Sequence, residues 1–429
     1  MIFFNKFMPL VFAISCVPAA IPNTSKDPAL DKKLLLEDYI YEQNIHTMQL
    51  YESRNIPDNS LLPAAIPLLQ KIPLLLKFDD FAEQADNYYA KFIHCNANWT
   101  KSLLHDLDFL SQYNEFNIND YEYSFDTRTE YVHYTFELPR VKLPGNYVLL
   151  VYRNDPSDPI LTRRFMVYDN KVKLQYGNQL IGLLSTAKLN QQIEFDINYY
   201  DFVIDNPLQS ITVHIRQNQR WDNAILDLKP SFIKPNQNLI EYHHFKAENN
   251  FRGSNEFRFF DLRSLRFFGQ NVDAVNILQN SVDAQIMDDF PRTHHAYSQV
   301  RDLNGGYLIQ NQDTRSPEVS SEYVNVNFKL KTNPVGGSVY VVGWLNNWRK
   351  NIPMHYDSGK MAYTSNLRLK QGWYDYMYEV KGDTLESNFF EGNHFQTENE
   401  YEIFVYYKPI TFSSDLLIGY SSFVVNNRD

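Results

Sequence analysis

Cysteine is almost missing from this chain, which limits the ways in which the fold can be stabilised. The 429 residues include two cysteines, Cys16 and Cys95. Cys16 lies in an N-terminal segment that we expect to be removed, so Cys95 would remain without an intramolecular partner. We therefore predict a fold that is stabilised by its hydrophobic core, with Cys95 as a buried, unreactive side chain.

Glycine is also scarce, and the glycine-dependent motifs of enzymes are missing. The chain has 15 glycines and contains no Gly-x-Ser-x-Gly elbow, no Gly-x-Gly-x-x-Gly turn, no phosphate loop and no His-Glu-x-x-His motif. The adjacent histidines at 243–244 and 294–295 would point to opposite faces of a strand, which prevents either pair from chelating a metal. We expect the paired aspartates to lie in solvated turns: Asp79, Asp80, Asp288 and Asp289. No catalytic residue, metal site or cofactor is predicted, and an enzyme is not expected.

Positive charge is in deficit. Lys and Arg number 40 against 51 Asp and Glu, which gives a net charge of −11. An acidic chain is a poor partner for nucleic acid or for anionic lipid, so we predict that it binds no nucleic acid. Beyond the N-terminal segment, no apolar run reaches the roughly 18 residues that a membrane-spanning helix needs, and we expect no membrane span.

The first 19 residues are typical of a secretory signal peptide. Lys6 is followed by an apolar stretch and then by small residues, which is the order found in such peptides. We predict cleavage near Ala19 or Ala20 and export of the mature chain. Lipid attachment at Cys16, which follows Ala-Ile-Ser, is the alternative.

Aromatic residues, by contrast, are abundant. Thirty Tyr and thirty Phe favour half-buried strands, and many segments alternate with period two, such as "YVHYTFEL" at 131–138. One short helix is predicted at Asp31–Asn44. Short strands separated by turn signals favour an all-β fold of tandem immunoglobulin-like sandwiches, and we place the three domains at residues 20–170, 171–318 and 319–429.

The stretch "VYVVGWLNNW" at 339–348 raises the question of whether its two tryptophans bind a sugar or only pack. The region Gly336–Pro409 resembles the early-set immunoglobulin-like modules that include glycogen-binding domains, and Trp348 matches the sugar-binding tryptophan of their Asn-Asn-Trp turn. Met377 and Thr384 stand where that family has a sugar-contacting lysine and a second tryptophan. Period two places Tyr374, Tyr376, Tyr378 and Val380 in the core, and the neighbours Trp373, Asp375, Met377, Glu379 and Lys381 on the outer face. A carbohydrate-binding sandwich protein is therefore the alternative function, and a hydrolase with an accessory sandwich is a third.

Eight strings, in order, resemble one family along nearly the whole chain, from residue 74 to residue 420. They are "LKFDD", "YYAKFIHCNANW", "NEFNINDYEYSFDT", "LPGNYVLLVY", "PILTRRFMVYD", "QRWDNAILDLKP", "NEFRFFDLRSLRFF" and "NFFEGNHFQTENEYEIFVYYKP". Together they closely resemble the plug protein family of the type IX secretion system. The resemblance implies an all-β, non-catalytic subunit that closes the periplasmic mouth of a very large outer-membrane translocon barrel when no cargo is present. It also implies a periplasmic location in association with the outer membrane.

The residues that would contact the translocon are chosen from the types that dominate protein interfaces. We predict partner binding by Trp221, Arg258, Asp261, Arg263, Arg266 and Trp373, and we expect no small-molecule ligand. The stretch "NEFRFFDLRSLRFF" at 255–268 is the first choice, and the slip in its alternation at Phe259-Phe260 predicts a β-bulge. The alternative for these residues is a solvated strand with cross-strand ion pairs.

Overall fold

The computed structural model describes residues 32–56, 58–69, 71–177 and 189–427. The predicted signal peptide, its cleavage site and Cys16 lie outside these residues. Across the described ranges strands account for 43% of the residues and helices for 6%, so the prediction of an all-β fold is confirmed. No helix in this part of the chain is long and apolar enough to cross a membrane.

The first sandwich follows the chain from residue 39 to residue 168. Its strands are β1 (Tyr39–Ile40), β2 (Ile45–Glu52), β3 (Ala65–Pro67), β4 (Leu74–Asp80), β5 (Tyr88–Cys95), β6 (Phe116–Ile118), β7 (Asp120–Tyr123), β8 (Val132–Glu137), β9 (Gly145–Arg153) and β10 (Pro159–Tyr168). One sheet has the order β1-β10-β9-β5-β6, with β3 beside β10, and the other has the order β2-β4-β8-β7. Their inner faces meet in a core that includes Phe78, Phe92, Tyr134 and Leu149.

The remaining strands form two further sandwiches. In chain order they are β11 (Lys173–Tyr176), β12 (Asn190–Gln192), β13 (Phe195–Asn198), β14 (Ile211–Gln217), β15 (Phe232–Lys234), β16 (Leu239–Tyr242), β17 (Asn250–Arg252), β18 (Arg258–Asp261), β19 (Val272–Ile277), β20 (Val282–Ile286), β21 (Tyr307–Ile309), β22 (Tyr323–Lys331), β23 (Ser338–Val342), β24 (His355–Asp357), β25 (Ala362–Lys370), β26 (Gly372–Lys381), β27 (Asn399–Tyr407) and β28 (Leu416–Val425). Single helical turns lie between them and in the first sandwich, namely α1 (Asp106–Phe109), α2 (Pro207–Ser210), α3 (Pro317–Ser320) and the 3-10 turns Asn59–Leu61, Pro235–Gln237, Ala247–Asn249 and Trp344–Asn346.

The strand pairing does not follow the predicted division at residue 318. Strand β14 pairs along its whole length with residues 401–407 of β27, in a sheet of order β14-β27-β28. This sheet packs on the sheet β11-β13-β16-β15, so the last strands of the chain complete the second sandwich. The third sandwich, with sheets β18-β26-β21 and β19-β20-β22-β25-β24, lies between β17 and β27 in sequence. Alternation identifies strands but not their partners, and consecutive strands are neighbours in only about two-thirds of cases.

The segment predicted as a short helix, Asp31–Asn44, contains no helix in its described residues. Instead, Tyr39 and Ile40 pair with Thr162 and Leu161 as an added strand of the first sandwich. The Leu36 carbonyl accepts a hydrogen bond from Arg164 Nε at 2.9 Å. The edge of β10 therefore satisfies backbone groups that a helix would have paired internally.

An apolar interface joins the first and second sandwiches. Ile93, Cys95 and Leu150 on the outer face of the first sandwich pack with Phe404 and Leu417 of the second. Cys95 is fully buried, as predicted, and burial raises the pKa of its thiol to about 12. The thiolate is the reactive form of cysteine, so this side chain serves packing.

A buried polar cluster joins the first and third sandwiches. The Asp79 carboxylate of β4 is fully buried, and it accepts hydrogen bonds from Lys370 Nζ, His133 Nδ1 and the Tyr323 hydroxyl, each at 2.6 Å. The prediction of a solvated turn at Asp79 is wrong, because its partners come from strands far away in the sequence. Its neighbour Asp80 is also buried and accepts the Tyr88 hydroxyl at 2.9 Å.

The third sandwich also packs against the second, through the outer face of β26. Tyr374, Tyr376, Tyr378 and Val380 lie in the core as predicted. On the opposite face, Asp375, Met377 and Glu379 are buried as well, and Arg220 Nη2 donates to Glu379 Oε1 at 2.8 Å. The three sandwiches are thus held together by buried contacts of three kinds: apolar, hydrogen-bonded and ionic.

Candidate partner-binding surface

The six residues predicted to bind a partner lie in three different settings. Trp221 is half-buried in the interface between the first and second sandwiches, where its ring meets Trp99 edge-on at 5.1 Å. Arg258 is buried inside the third sandwich. Asp261, Arg263 and Trp373 lie together outside the core of that sandwich, and Arg266 is exposed in the loop after Asp261.

All donor groups of Arg258 are used inside the protein. Its Nε lies 3.0 Å from both oxygens of Glu391, its Nη1 donates to Asp289 at 2.7 Å, and its Nη2 donates to the Phe290 carbonyl at 2.9 Å. Burial lowers the pKa of Arg258, but the two carboxylates outweigh burial and raise it. Arg258 therefore has no free donor to offer to a partner.

The carboxylates around Arg258 are also paired with groups inside the protein. Burial would raise the pKa of Glu391, but Arg258 and Arg292 outweigh it and lower that pKa to about 2. Asp289 accepts the hydroxyls of Tyr376 and Tyr378, each at 2.7 Å. The prediction that Asp289 lies in a solvated turn is wrong, because it binds two tyrosines of the core strand and an arginine. Asp288 alone is half-exposed, in ion pairs with lysines of β22.

Asp261, Arg263 and Trp373 form one connected group. Asp261 binds Arg263 through two hydrogen bonds, at 2.9 Å to Nε and 2.8 Å to Nη2. The guanidinium carbon of Arg263 lies 5.2 Å from the ring centre of Trp373, and Phe259 stacks on the same indole at 4.4 Å. The hydrogen bond from Asp261 raises the pKa of Arg263. Asp261 is buried and positions the arginine, whose side chain stays 25% exposed.

Strand β18 reaches this surface without a bulge. Arg258, Phe259, Phe260 and Asp261 pair in unbroken register with β26, so the predicted bulge is wrong. The two phenylalanines alternate normally, because each face of this strand accepts an aromatic ring. Phe260 enters the core, and Phe259 stacks on Trp373.

The loop after β18 carries two exposed phenylalanines back toward Asp261. Phe267 is 79% exposed and Phe268 is 54% exposed. The Asp261 amide donates to the Gln270 carbonyl at 3.0 Å, and a Cβ placed on Gly269 would come within 2.4 Å of the Asp261 oxygen, so only glycine fits this close approach. The Ser264 hydroxyl accepts the backbone amides of Arg266 and Phe267 at 3.2 and 3.1 Å. The loop is therefore ordered before any partner arrives.

We call Arg263, Arg266, Phe267, Phe268 and Trp373 the Arg–Phe face. It combines exposed aromatic rings with arginines on an ordered scaffold, which is the composition of protein–protein hot spots. Sequence reasoning selected the stretch but chose its arginines and passed over Phe267 and Phe268. Their signal is weak in sequence, since an exposed phenylalanine and a core phenylalanine look alike in a stretch with five of them.

Other kinds of site find little support. Among the described residues, no group of three or more His, Cys, Asp or Glu is placed to hold a metal ion. Trp348, the residue matched to the sugar-binding tryptophan of early-set modules, is only 7% exposed. The Arg220 guanidinium covers its ring at 4.1 Å from the ring centre. A sugar could not stack on this face without displacing Arg220.

Comparisons with known proteins agree with the sequence resemblance. Residues 45–169 match the family model described as the first domain of the type 9 secretion system plug protein. The fold is similar to a crystal structure of a hypothetical protein from Parabacteroides merdae, with a TM-score of 0.84 and 28% identity, over 91% of this chain and all of that one. No curated protein matches the chain.

Proposed function

Because residues 45–169 belong to the type 9 secretion system plug protein family, we propose that this protein is the non-catalytic plug of that system. In this role it seals the periplasmic mouth of the outer-membrane translocon barrel when no cargo occupies the pore. The family match is the observation that carries the proposal. The same role places the protein in the periplasm, bound to the outer-membrane translocon.

The packing of the three sandwiches supports a steric role. A plug must resist deformation, because a gap between its parts would let solutes pass. Here the Asp79–Lys370 pair, at 2.6 Å, joins the first sandwich to the third, and Arg220–Glu379, at 2.8 Å, joins the second to the third. Buried pairs of this kind are costly to break, since separation leaves a charge without its partner. Relative motion of the sandwiches is therefore restrained.

Release also has to be possible, so the contact with the translocon should depend on a few anchors rather than on a wide apolar area. The Arg–Phe face has this composition. We therefore assign it as the contact with the translocon. Asp261 is the residue that positions Arg263 in this face, and the partner-binding role predicted for Arg258 is not retained.

Purification from native membranes tests the role. The full chain, tagged at its C-terminus, is isolated in mild detergent, and the co-purified proteins are identified by mass spectrometry. We expect recovery with one very large outer-membrane barrel, followed by low conductance of that barrel in planar bilayers while the protein is bound and a rise when it is removed. Recovery without the barrel, or equal conductance with and without the protein, contradicts the plug role.

A further inference from the structure

A cavity of about 290 Å³ lies where the three sandwiches meet. Gln49, Arg163 and Arg164 line it from the first sandwich, Trp221 from the second, and Trp348 from the third. The proposed contact with the translocon uses none of these residues. Its lining combines apolar side chains, among them Leu50 and Leu62, with tryptophans and arginines, whereas a dry packing gap is lined by apolar groups throughout.

Buried hydrogen-bond donors without partners are concentrated in its wall. Gln49 Nε2, Arg163 Nε, Trp221 Nε1 and Trp348 Nε1 are all inaccessible and make no hydrogen bond to any described residue. The Gln49 and Trp348 side chains are themselves more than nine-tenths buried. All four atoms are N–H donors, and buried donors normally have a partner. These four atoms are enclosed by the protein, so a ligand in the cavity would contact the surfaces of these side chains rather than the four donors.

The charges in the wall leave one cation uncompensated. Arg163 pairs with Asp38 at 3.2 Å, Arg349 with Glu37 at 2.6 Å, and Arg216 with Glu402, while Asp222 pairs with Arg220 at 2.6 Å. These pairs account for the lining carboxylates.

Arg164 has no carboxylate within ion-pair distance among the described residues. Its Nε donates to the Leu36 carbonyl at 2.9 Å, and its guanidinium lies over the ring of Trp99 at 4.3 Å and 5.7 Å from that of Trp221. Burial lowers the pKa of Arg164. A cation held in this setting is stabilised by a bound anion.

We propose that this cavity binds a ligand with one carboxylate group, which Arg164 holds, and with an apolar part that packs against Trp221 and Trp348. A single uncompensated guanidinium fits a monoanion, and the carboxylate matches its planar, two-donor geometry. The carboxylate could belong to a small organic acid or to the C-terminal residue of a polypeptide. The inference rests on the cavity alone and does not depend on the plug role.

Calorimetric titration of the full chain at constant ionic strength tests this proposal. The probes are benzoate and its neutral counterpart benzamide, together with the peptide Gly-Gly-Phe as the free acid and as the C-terminal amide. We expect each acid that binds to do so at least tenfold more tightly than its amide. Binding of benzoate alone indicates a small acid as the ligand, and binding of the peptide acid indicates a chain terminus. Failure of both acids to bind, or equal binding of acid and amide, overturns the proposal.

Variants tie the binding to the cavity. Arg164→Gln removes the charge, and we expect at least a tenfold loss of affinity for the acid that binds. Trp221→Phe reduces the aromatic surface on which the apolar part of the ligand packs, and a several-fold loss is expected. Arg315→Gln changes an exposed arginine outside the cavity and should leave the affinity unchanged. If Arg164→Gln does not fold, the affinity of Trp221→Phe for the same acid is measured instead. Wild-type affinity in that variant contradicts the proposal.

Discussion

Arg258 and Arg263 stand five residues apart in one stretch and have opposite settings. Arg258 is enclosed by two carboxylates and a carbonyl, with its side chain 6% exposed. Arg263 binds Asp261 and, through Nη1 at 3.2 Å, Gln310; it lies beside Trp373, and its side chain is 25% exposed. The comparison shows that residue type and position in the sequence do not make an interface anchor. An anchor also needs a side chain that a partner can reach.

The largest expected difference between the two arginines is in stability. Arg258→Gln leaves Asp289 without its cation and Glu391 with Arg292 alone, and removing one partner of a buried ion pair costs about 3–5 kcal/mol. Arg263→Gln breaks a partly exposed pair, for which we expect about 1 kcal/mol or less. Urea denaturation of both variants, followed by tryptophan fluorescence, measures the two losses of unfolding free energy.

The pair of variants serves as its own control, because both make the same chemical change in the same stretch. Equal losses would show that the carboxylates around Arg258 relax into water when the cation is removed. The buried network would then be weaker than its geometry implies, and the contrast between the two arginines would not hold.

The same contrast explains what sequence reasoning could and could not predict. Period two correctly placed Tyr374, Tyr376, Tyr378 and Val380 in the core, because alternation depends only on neighbouring residues. It could not show that Asp375 and Glu379, on the other face, are buried against the second sandwich. The partner of Arg258, Glu391, lies 133 residues away, and no local pattern identifies a contact of that separation. The family resemblance supplied the role, but not the surface that performs it.

Acid should reduce the contribution of Glu391, the carboxylate beside Arg258, to the free energy of unfolding, and it should do so in a defined pH window. In the folded protein the pKa of Glu391 is lowered from 4.5 to about 2 by Arg258 and Arg292, against the effect of burial. Its contribution to stability is therefore complete above about pH 4.5 and is lost as the pH falls toward 2. The shift corresponds to about 3 kcal/mol. Denaturation curves between pH 6 and pH 2 should show the stability gap between wild type and Glu391→Gln narrowing as the pH falls. A constant gap contradicts the assigned shift.

The smallest expected effect on stability belongs to the Arg–Phe face, where the effect on binding should be large. Phe267→Ser removes a ring that is 79% exposed, and we expect a stability change within about 0.5 kcal/mol, as for most surface substitutions. Phe245→Ser removes a ring that is 83% exposed and lies outside the Arg–Phe face, so it is the control. Affinity for the purified translocon should fall by at least about tenfold, or about 1.4 kcal/mol, in Phe267→Ser alone. If Phe245→Ser weakens binding and Phe267→Ser does not, the contact lies on the second sandwich. The Arg–Phe face would then be exposed for another reason, because exposure makes a side chain available to a partner without selecting the partner.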